Sequence, residues 1–164
     1  MKTQLVTMET ALPVRLEDLK GHLRIANSDF DDILQVHLAA AIESAENYTG
    51  ITLRDSTWKC SGVAETDTIC TDILPVREVV SVEVDGRPVE VGDVESDGSH
   101  LRIPGARGKR VSVTFRAGYE QAPYDIVAAV LLIAARFFEH PTDSVEQLPK
   151  ASTNLLRVHK RWGR

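Results

Sequence analysis

The sequence predicts an α+β fold, with about four helices in a small helical core and a segment rich in β-hairpins inserted between the second and third helices. Three features support this class. Residues 126–135 are ten consecutive apolar residues, and residues 29–49 carry apolar side chains at helical spacing. Residues 51–116 instead alternate β-branched and polar residues between turn dipeptides, which is typical of short strands.

The totals fit one compact domain with an ordinary core, since 43% of the 164 residues are hydrophobic and 26% are charged. We expect this domain to span residues 1–149, with the β insertion at about 51–116, and a distinct segment to follow at 150–164. No apolar region follows Lys2, so neither a signal peptide nor a membrane span is expected.

The N-terminal half begins with an extended stretch, residues 4–14, and continues into two helices. Apolar residues at near-helical spacing predict a short helix over residues 16–24. Asn27 and Ser28 are candidate caps for a second helix over residues 29–49, and acidic residues favour its positive end. Gly50 is expected to end this helix in a left-handed conformation.

Turn signals at Asp85-Gly86, Asp97-Gly98 and Pro104-Gly105 divide the β region. Residues 82–91 are the clearest hairpin, because Asp-Gly supplies the positive φ angles of a type I′ turn. A final strand is expected at residues 110–116. If a hairpin turned about Glu65, Cys60 and Cys70 would face each other across two strands, although two reduced thiols are the favoured interpretation for a cytoplasmic chain.

The third helix, predicted over residues 123–140, should be the centre of the fold. Pro123 suits its first turn, Asp125 favours its positive end and Pro141 stops it. A helix that is apolar on all sides is a buried one, and this apolar run is too short for a bilayer, which needs about 20 residues. We therefore expect it to form the core.

The last fifteen residues differ electrostatically from the rest of the chain. They carry five basic residues and no acidic one, which leaves 14 basic and 24 acidic residues, a net charge of −10, in the first 149. A helix beginning after Pro149 would place Leu155, Leu156, Val158 and Trp162 on one apolar edge. Such a segment could bind nucleic acid, dock on an acidic protein or be a solvated helix end.

No pattern in the sequence predicts catalysis, a metal site or a cofactor. The cluster of Asp29, Asp31 and Asp32 lacks the glycine of a calcium loop and is better explained as helix-start acids. The five histidines form no HExxH pair, and no GxSxG or phosphate-binding glycine loop is present. We therefore predict a protein that is not an enzyme.

Several separated segments, taken in order, resemble the head-tail connector (adaptor) proteins of tailed phages, which form rings under the portal. Each motif is weak alone, but the ordered set covers nearly the whole chain and is fairly specific. Two positions depart from the pattern, Arg15 and Pro141. The matching pieces are residues 16–20 with 22–25, Asp31-Asp32, Ala40-Ala41, Glu46, Tyr48-Thr49-Gly50, Leu74-Pro75, residues 79–82, Ala117-Gly118-Tyr119, Pro123 with Asp125-Ile126, residues 137–140, Leu148-Pro149 and Leu155-Leu156.

This resemblance implies a structural virion protein of the neck that forms a homo-oligomeric ring, usually a dodecamer. The ring extends the DNA channel below the portal, lets genomic DNA pass non-specifically and receives the tail or a stopper protein. Its place would be the head-tail junction of the virion, after assembly in the host cytoplasm, with no membrane partner.

The resemblance also implies that the C-terminal segment docks on the portal. We expect residues 150–164 to be mobile in the free subunit and ordered on the partner, with Trp162 as the best anchor. The predicted docking residues are Leu155, Leu156, Arg157, Val158, Lys160, Arg161, Trp162 and Arg164.

The sequence leaves two other classes of function open. A DNA-binding packaging factor of the small-terminase type would use the basic segment to hold phosphates, but the acidic body and the lack of a helix-turn-helix pattern disfavour it. An enzyme of unrecognised type is disfavoured because no constellation of titratable residues is present.

Overall fold

The computed structural model describes residues 1–140 and 147–161, and the chain falls into two compact units. The β unit consists of Met1–Ala11 and Arg54–Glu120, and the helical unit of Leu12–Leu53 and Gln121–Arg164. The described residues form four α-helices and antiparallel sheets, which confirms the predicted mixed class.

The β unit contains two antiparallel sheets. The strands are β1 Lys2–Met8, β2 Ser56–Val63, β3 Thr68–Cys70, β4 Val76–Val84, β5 Arg87–Val89, β6 Glu95–Ser96, β7 His100–Arg102 and β8 Arg110–Ala117. The larger sheet has the strand order β1-β2-β8-β4-β5, and the smaller has the order β3-β7-β6. A 3₁₀ turn, Val91–Asp93, follows β5.

Strand β8 shows how the sequence builds the core of the β unit. Its residues alternate between buried and partly exposed, with Val111, Val113, Phe115 and Ala117 all buried. This is the period-2 pattern of a strand with one face on a core. The buried face joins Val82 and Val84 of β4 and residues of the smaller sheet in one cluster.

The Asp85-Gly86 hairpin predicted from the sequence is present. Val84 pairs with Arg87 across the turn, and Asp85 and Gly86 have φ angles of 50° and 75°. The carbonyl of Arg110 accepts the Asp85 N–H at 2.8 Å, which ties the turn to the start of β8. The returning strand β5 is shorter than the sequence suggested.

The hairpin about Glu65 that would bring Cys60 opposite Cys70 is not formed, and both cysteines are free thiols. Cys60 is buried in β2 opposite Thr3 and Val113, whereas Cys70 is exposed in β3 opposite His100. Strand β3 pairs with β7, not with β2, so the two thiols lie in different sheets.

The helical unit contains α1 (Leu16–Leu23), α2 (Asp31–Thr49), α3 (Tyr124–Glu139) and α4 (Lys150–Leu156). Gly50 ends α2 at φ 71°, as the sequence predicted. The predicted caps, Asn27 and Ser28, do not cap α2. The helix begins at Asp31, so Phe30 occupies the cap position, and no side chain makes a capping hydrogen bond there. Ser28 instead accepts the N–H of Asp31 through its main-chain carbonyl at 3.2 Å.

Helix α3 contacts α1, α2 and α4 and is the central element of this unit. Ile126, Ala129, Val130 and Ile133 are fully buried on it. The expectation that α3 is buried on all sides is wrong, since Ala128 is exposed and other apolar side chains are half-buried. The apolar run in the sequence therefore did not show that α3 is amphipathic, because alanine counts as apolar even where its side chain is exposed.

Candidate functional site

The C-terminal segment is the surface for which the sequence predicted a partner, and its described part folds into α4 and a short 3₁₀ helix, Arg157–His159. Pro149 precedes α4, and its carbonyl accepts the hydroxyl of Ser152 at 2.7 Å. Proline costs nothing at a helix start because the first N–H groups have no partner within the helix. The sequence thus determines where this segment begins.

One side of the segment belongs to the core of the helical unit. Leu156 and Ser152 are completely buried, and α4 packs against α3. Burying a leucine contributes roughly 1.5–3 kcal/mol, so α4 stabilises its own unit. The described part of the segment therefore packs on its own unit in this structure, and the expected mobility of residues 150–164 in the free subunit stays a prediction.

Three contacts hold the end of the segment on the helical unit. The imidazole of His159 donates from Nε2 to Oδ2 of Asp125 over 2.6 Å, and the N–H of Arg161 donates to the carbonyl of Thr49 over 2.8 Å. The Nζ of Lys160 lies 4.6 Å from the centre of the Tyr48 ring, within the range of a cation–π interaction.

The His159 contact affects the titration of Asp125. Partial burial of this carboxyl acts to raise its pKa. The hydrogen bond from His159, the N–H of Ile126 and the charge of His159 together outweigh that burial. The pKa of Asp125 consequently lies below its ordinary value, and the contact is strongest while Asp125 is ionised.

The predicted docking residues are divided between the two sides of the segment. Leu156 faces the core and is unavailable to a partner in this conformation, while Leu155, Lys160 and Arg161 are half-buried. Arg157 is exposed, and Val158 is 77% exposed despite being apolar. Trp162 and Arg164 lie outside the described residues. Docking of this segment on a portal stays a prediction.

The β unit contains a cluster of charges around Asp55. Its Oδ2 accepts from Nη2 of Arg77 at 2.9 Å and from Nη2 of Arg116 at 2.6 Å. The other Arg77 nitrogen, Nη1, lies 3.7 Å from a carboxylate oxygen of Glu120, beyond hydrogen-bond distance. This network joins the start of β2 to β4 and β8, and it leaves the buried Nη1 of Arg77 without a hydrogen bond.

Asp97, Ser99 and His100 bring together the residue types of a hydrolase triad. Hydrogen bonds from the N–H groups of Ser99 and His100 hold the pKa of Asp97 well below its ordinary value. The Ser99 hydroxyl and the Asp97 carboxylate both contact the same nitrogen, Nδ1 of His100, at 2.8 and 3.2 Å. A catalytic triad needs the acid and the nucleophile on opposite nitrogens of the imidazole, so this arrangement is not a triad. The three residues instead form a turn held by these hydrogen bonds.

The exposed apolar side chains of β1 were not predicted from the sequence, which indicated only an extended stretch over residues 4–14. Leu5, Val6 and Met8 are 46%, 54% and 40% exposed in a strand at the edge of the larger sheet. The signal was present, because no charged residue occurs between Lys2 and Glu9.

Within residues 1–140 and 147–161, no helix is both long and apolar enough to cross a membrane.

In a comparison of sequences, residues 13–83 of the chain match the model of the phage gp6-like head-tail connector protein family. No curated protein is similar to the chain by sequence.

Solved structures that resemble the chain come from the neck and virion of a gene transfer agent particle. A protein in the neck of the empty particle, computed with C6 symmetry, has a TM-score of 0.77 and 25% identity to this chain. A protein in the virion of the native particle has a TM-score of 0.76 and 25% identity. One in the native neck computed with C12 symmetry has a TM-score of 0.74 and 23% identity.

These likenesses extend over almost the full length of both proteins, because each covers 98% of this chain and 95% of the other. The resemblance to head-tail connector proteins inferred from the sequence is confirmed, and with it a structural role as a connector or adaptor. The matches also support a place in the virion.

Proposed function

We propose that this chain forms a ring, a dodecamer in the assembled particle, below the portal at the head-tail junction. The ring continues the DNA channel and provides the attachment site for the tail or a stopper protein. The observation that carries this proposal is the likeness to neck proteins over 98% of the chain. The net charge of −5 also suits a channel through which DNA must slide without being held.

The portal is proposed to bind the exposed side of the C-terminal segment. Arg157 and Val158 are adjacent, exposed and held in place by the buried Leu156. A basic residue beside an exposed apolar one suits a partner surface that is acidic at its rim and apolar at its centre, since charge mainly steers the encounter and apolar burial supplies affinity. Lys160, Arg161, Trp162 and Arg164 would extend this contact, as the sequence predicted.

The test is attachment to portal particles by the full chain carrying Val158→Asp together with Arg157→Glu. These substitutions remove the apolar contact and reverse the charge without touching the core, so we expect a folded subunit that fails to co-sediment with portal particles. The matched control is Val36→Asp, because Val36 is 61% exposed on α2 of the same unit.

Electron microscopy of the wild-type mixture then shows whether the attached protein is a ring. Attachment of the double variant at wild-type levels would refute portal docking by this segment. Loss of attachment in Val36→Asp alone would instead locate the docking surface on α2.

A further inference from the structure

Strand β1 is an open edge of the larger sheet. In the part of the chain that the structure describes, β1 pairs only with β2, from Lys2 opposite Ser61 to Met8 opposite Ser56. Its seven residues include no proline, and its only charge is at Lys2. Natural sheets usually protect edge strands with charge, proline or short length, because an open edge invites pairing with another chain. Only a shift in register between Leu5 and Thr7 interrupts this edge.

The opposite edge of the same sheet is protected in the usual way. Strand β5 has only three residues, Arg87–Val89, with Pro88 at its centre. Proline cannot donate to a neighbouring strand, and Arg87 and Glu90 place charge at either end. The sheet therefore has one edge that resists association and one that permits it.

The apolar face of the sheet continues onto β1, where the structure leaves it partly exposed. Leu5 lies opposite Trp58 of β2, and Trp58 lies opposite the fully buried Phe115 of β8. Directly opposed residues project from the same face of a sheet, so Leu5 is on the core face. It is nevertheless 46% exposed, and Met8, in the same row opposite Ser56, is 40% exposed.

We infer that the open edge of β1, with Leu5, Val6 and Met8, is a surface by which each copy of this chain contacts the next copy. The inference rests on the ring proposed above. In a cyclic ring the contacts are head-to-tail, so each copy meets its neighbour through two different surfaces. The β1 edge would be one of these two surfaces, and a second copy seated on it would bury the exposed apolar row and satisfy the edge backbone.

The experiment compares the oligomeric state of the full-length wild type with that of Val6→Lys, by light scattering after size exclusion and by native mass spectrometry over a range of concentrations. Val6 is 54% exposed, so lysine is accommodated in the subunit but places a charge in the contact. The control is Val80→Lys, because Val80 is 49% exposed on β4 of the same sheet. Leu5→Gln is a second, milder variant, and unchanged circular dichroism verifies folding.

We expect rings from the wild type and from Val80→Lys, whereas Val6→Lys and Leu5→Gln should need about tenfold or more protein to assemble. Rings formed equally well by both β1 variants would overturn the β1 interface and leave the proposed ring intact. A wild type that stays monomeric at all concentrations, alone and with portal particles, would overturn the ring and this interface together. An equal loss of assembly in Val80→Lys would also count against β1, because the effect would then be one of added charge.

Discussion

Gly118 offers a sharp test of how closely two main-chain segments of the β unit approach each other. It follows β8 at φ 93°, and its N–H donates to the carbonyl of Pro75 over 3.1 Å. A Cβ atom at this position would lie 2.0 Å from the carbonyl oxygen of Arg54 and 2.6 Å from the carbonyl carbon. Cβ atoms essentially never come within 3.0 Å of such atoms, so Gly118→Ala requires the two segments to separate by about 1 Å.

The expected loss of stability has two parts. An L-residue in a left-handed conformation costs roughly 1–2 kcal/mol. Separating the segments also strains the end of β8, where Ala117 pairs with both Ser56 and Val76, and each weakened hydrogen bond costs about 1 kcal/mol. We therefore expect Gly118→Ala to lower the free energy of unfolding of the β unit by about 3–5 kcal/mol, in the range of severe substitutions.

The assay is urea unfolding followed by the fluorescence of Trp58, which lies in β2 of the same unit. Gly86→Ala is the matched control, because Gly86 has φ 75° and, among the described residues outside its two chain neighbours, no atom lies within 4 Å of its added Cβ. The control should lose only the conformational part, about 1–2 kcal/mol. If the two variants were equally stable, the close approach of Gly118 to Arg54 would not exist and the reasoning would fail.

Two further predictions concern the helical unit. Ile133→Asp should abolish cooperative unfolding, because Ile133 is fully buried and an unpaired buried carboxylate costs several kcal/mol. The control is Ala128→Asp, on the exposed side of α3. Cooperative melting of Ile133→Asp near the wild-type temperature would contradict the burial of Ile133. Asp125→Asn should lower stability at neutral pH by about 1 kcal/mol or less, since the carboxyl is partly exposed. The pKa of Asp125 is depressed in the folded state, so the carboxylate's contribution to the free energy of unfolding is present above about pH 4 and is lost as the pH falls further. If the wild type and Asp125→Asn lost stability in parallel below pH 4, the His159 contact would contribute nothing to stability.

The sequence predicted those parts of the fold that depend on local chemistry. Gly50 ends α2 because glycine tolerates the left-handed conformation, and Asp85-Gly86 forms a turn for the same reason. The alternation from Val111 to Ala117 identified a strand because one face of that strand is buried. In each case the physical cause lies within a few residues of its effect.

Pairings between distant segments could not be predicted in this way. Strand β3 has three residues and finds its partner β7 about thirty residues later, so nothing near Cys70 indicates its neighbour. A two-strand hairpin about Glu65 was the simplest local arrangement, and the structure pairs β3 with β7 instead. Strand β1 likewise pairs with β2, and the whole helical segment 12–53 lies between the two strands in the sequence. Nothing near β1 therefore indicates its partner.

The C-terminal segment shows why a binding residue is difficult to distinguish from a core residue by sequence. Leu155, Leu156 and Val158 are all apolar residues among basic ones, and helical spacing alone places all three on one apolar edge of a helix. The structure separates them, because Leu156 is buried while Val158 is 77% exposed. Removing the whole segment would therefore expose the core of the helical unit as well as any docking surface, and a loss of portal attachment after truncation could not be assigned to docking. Only substitutions on the exposed side, with Leu156 retained, can separate stability from binding.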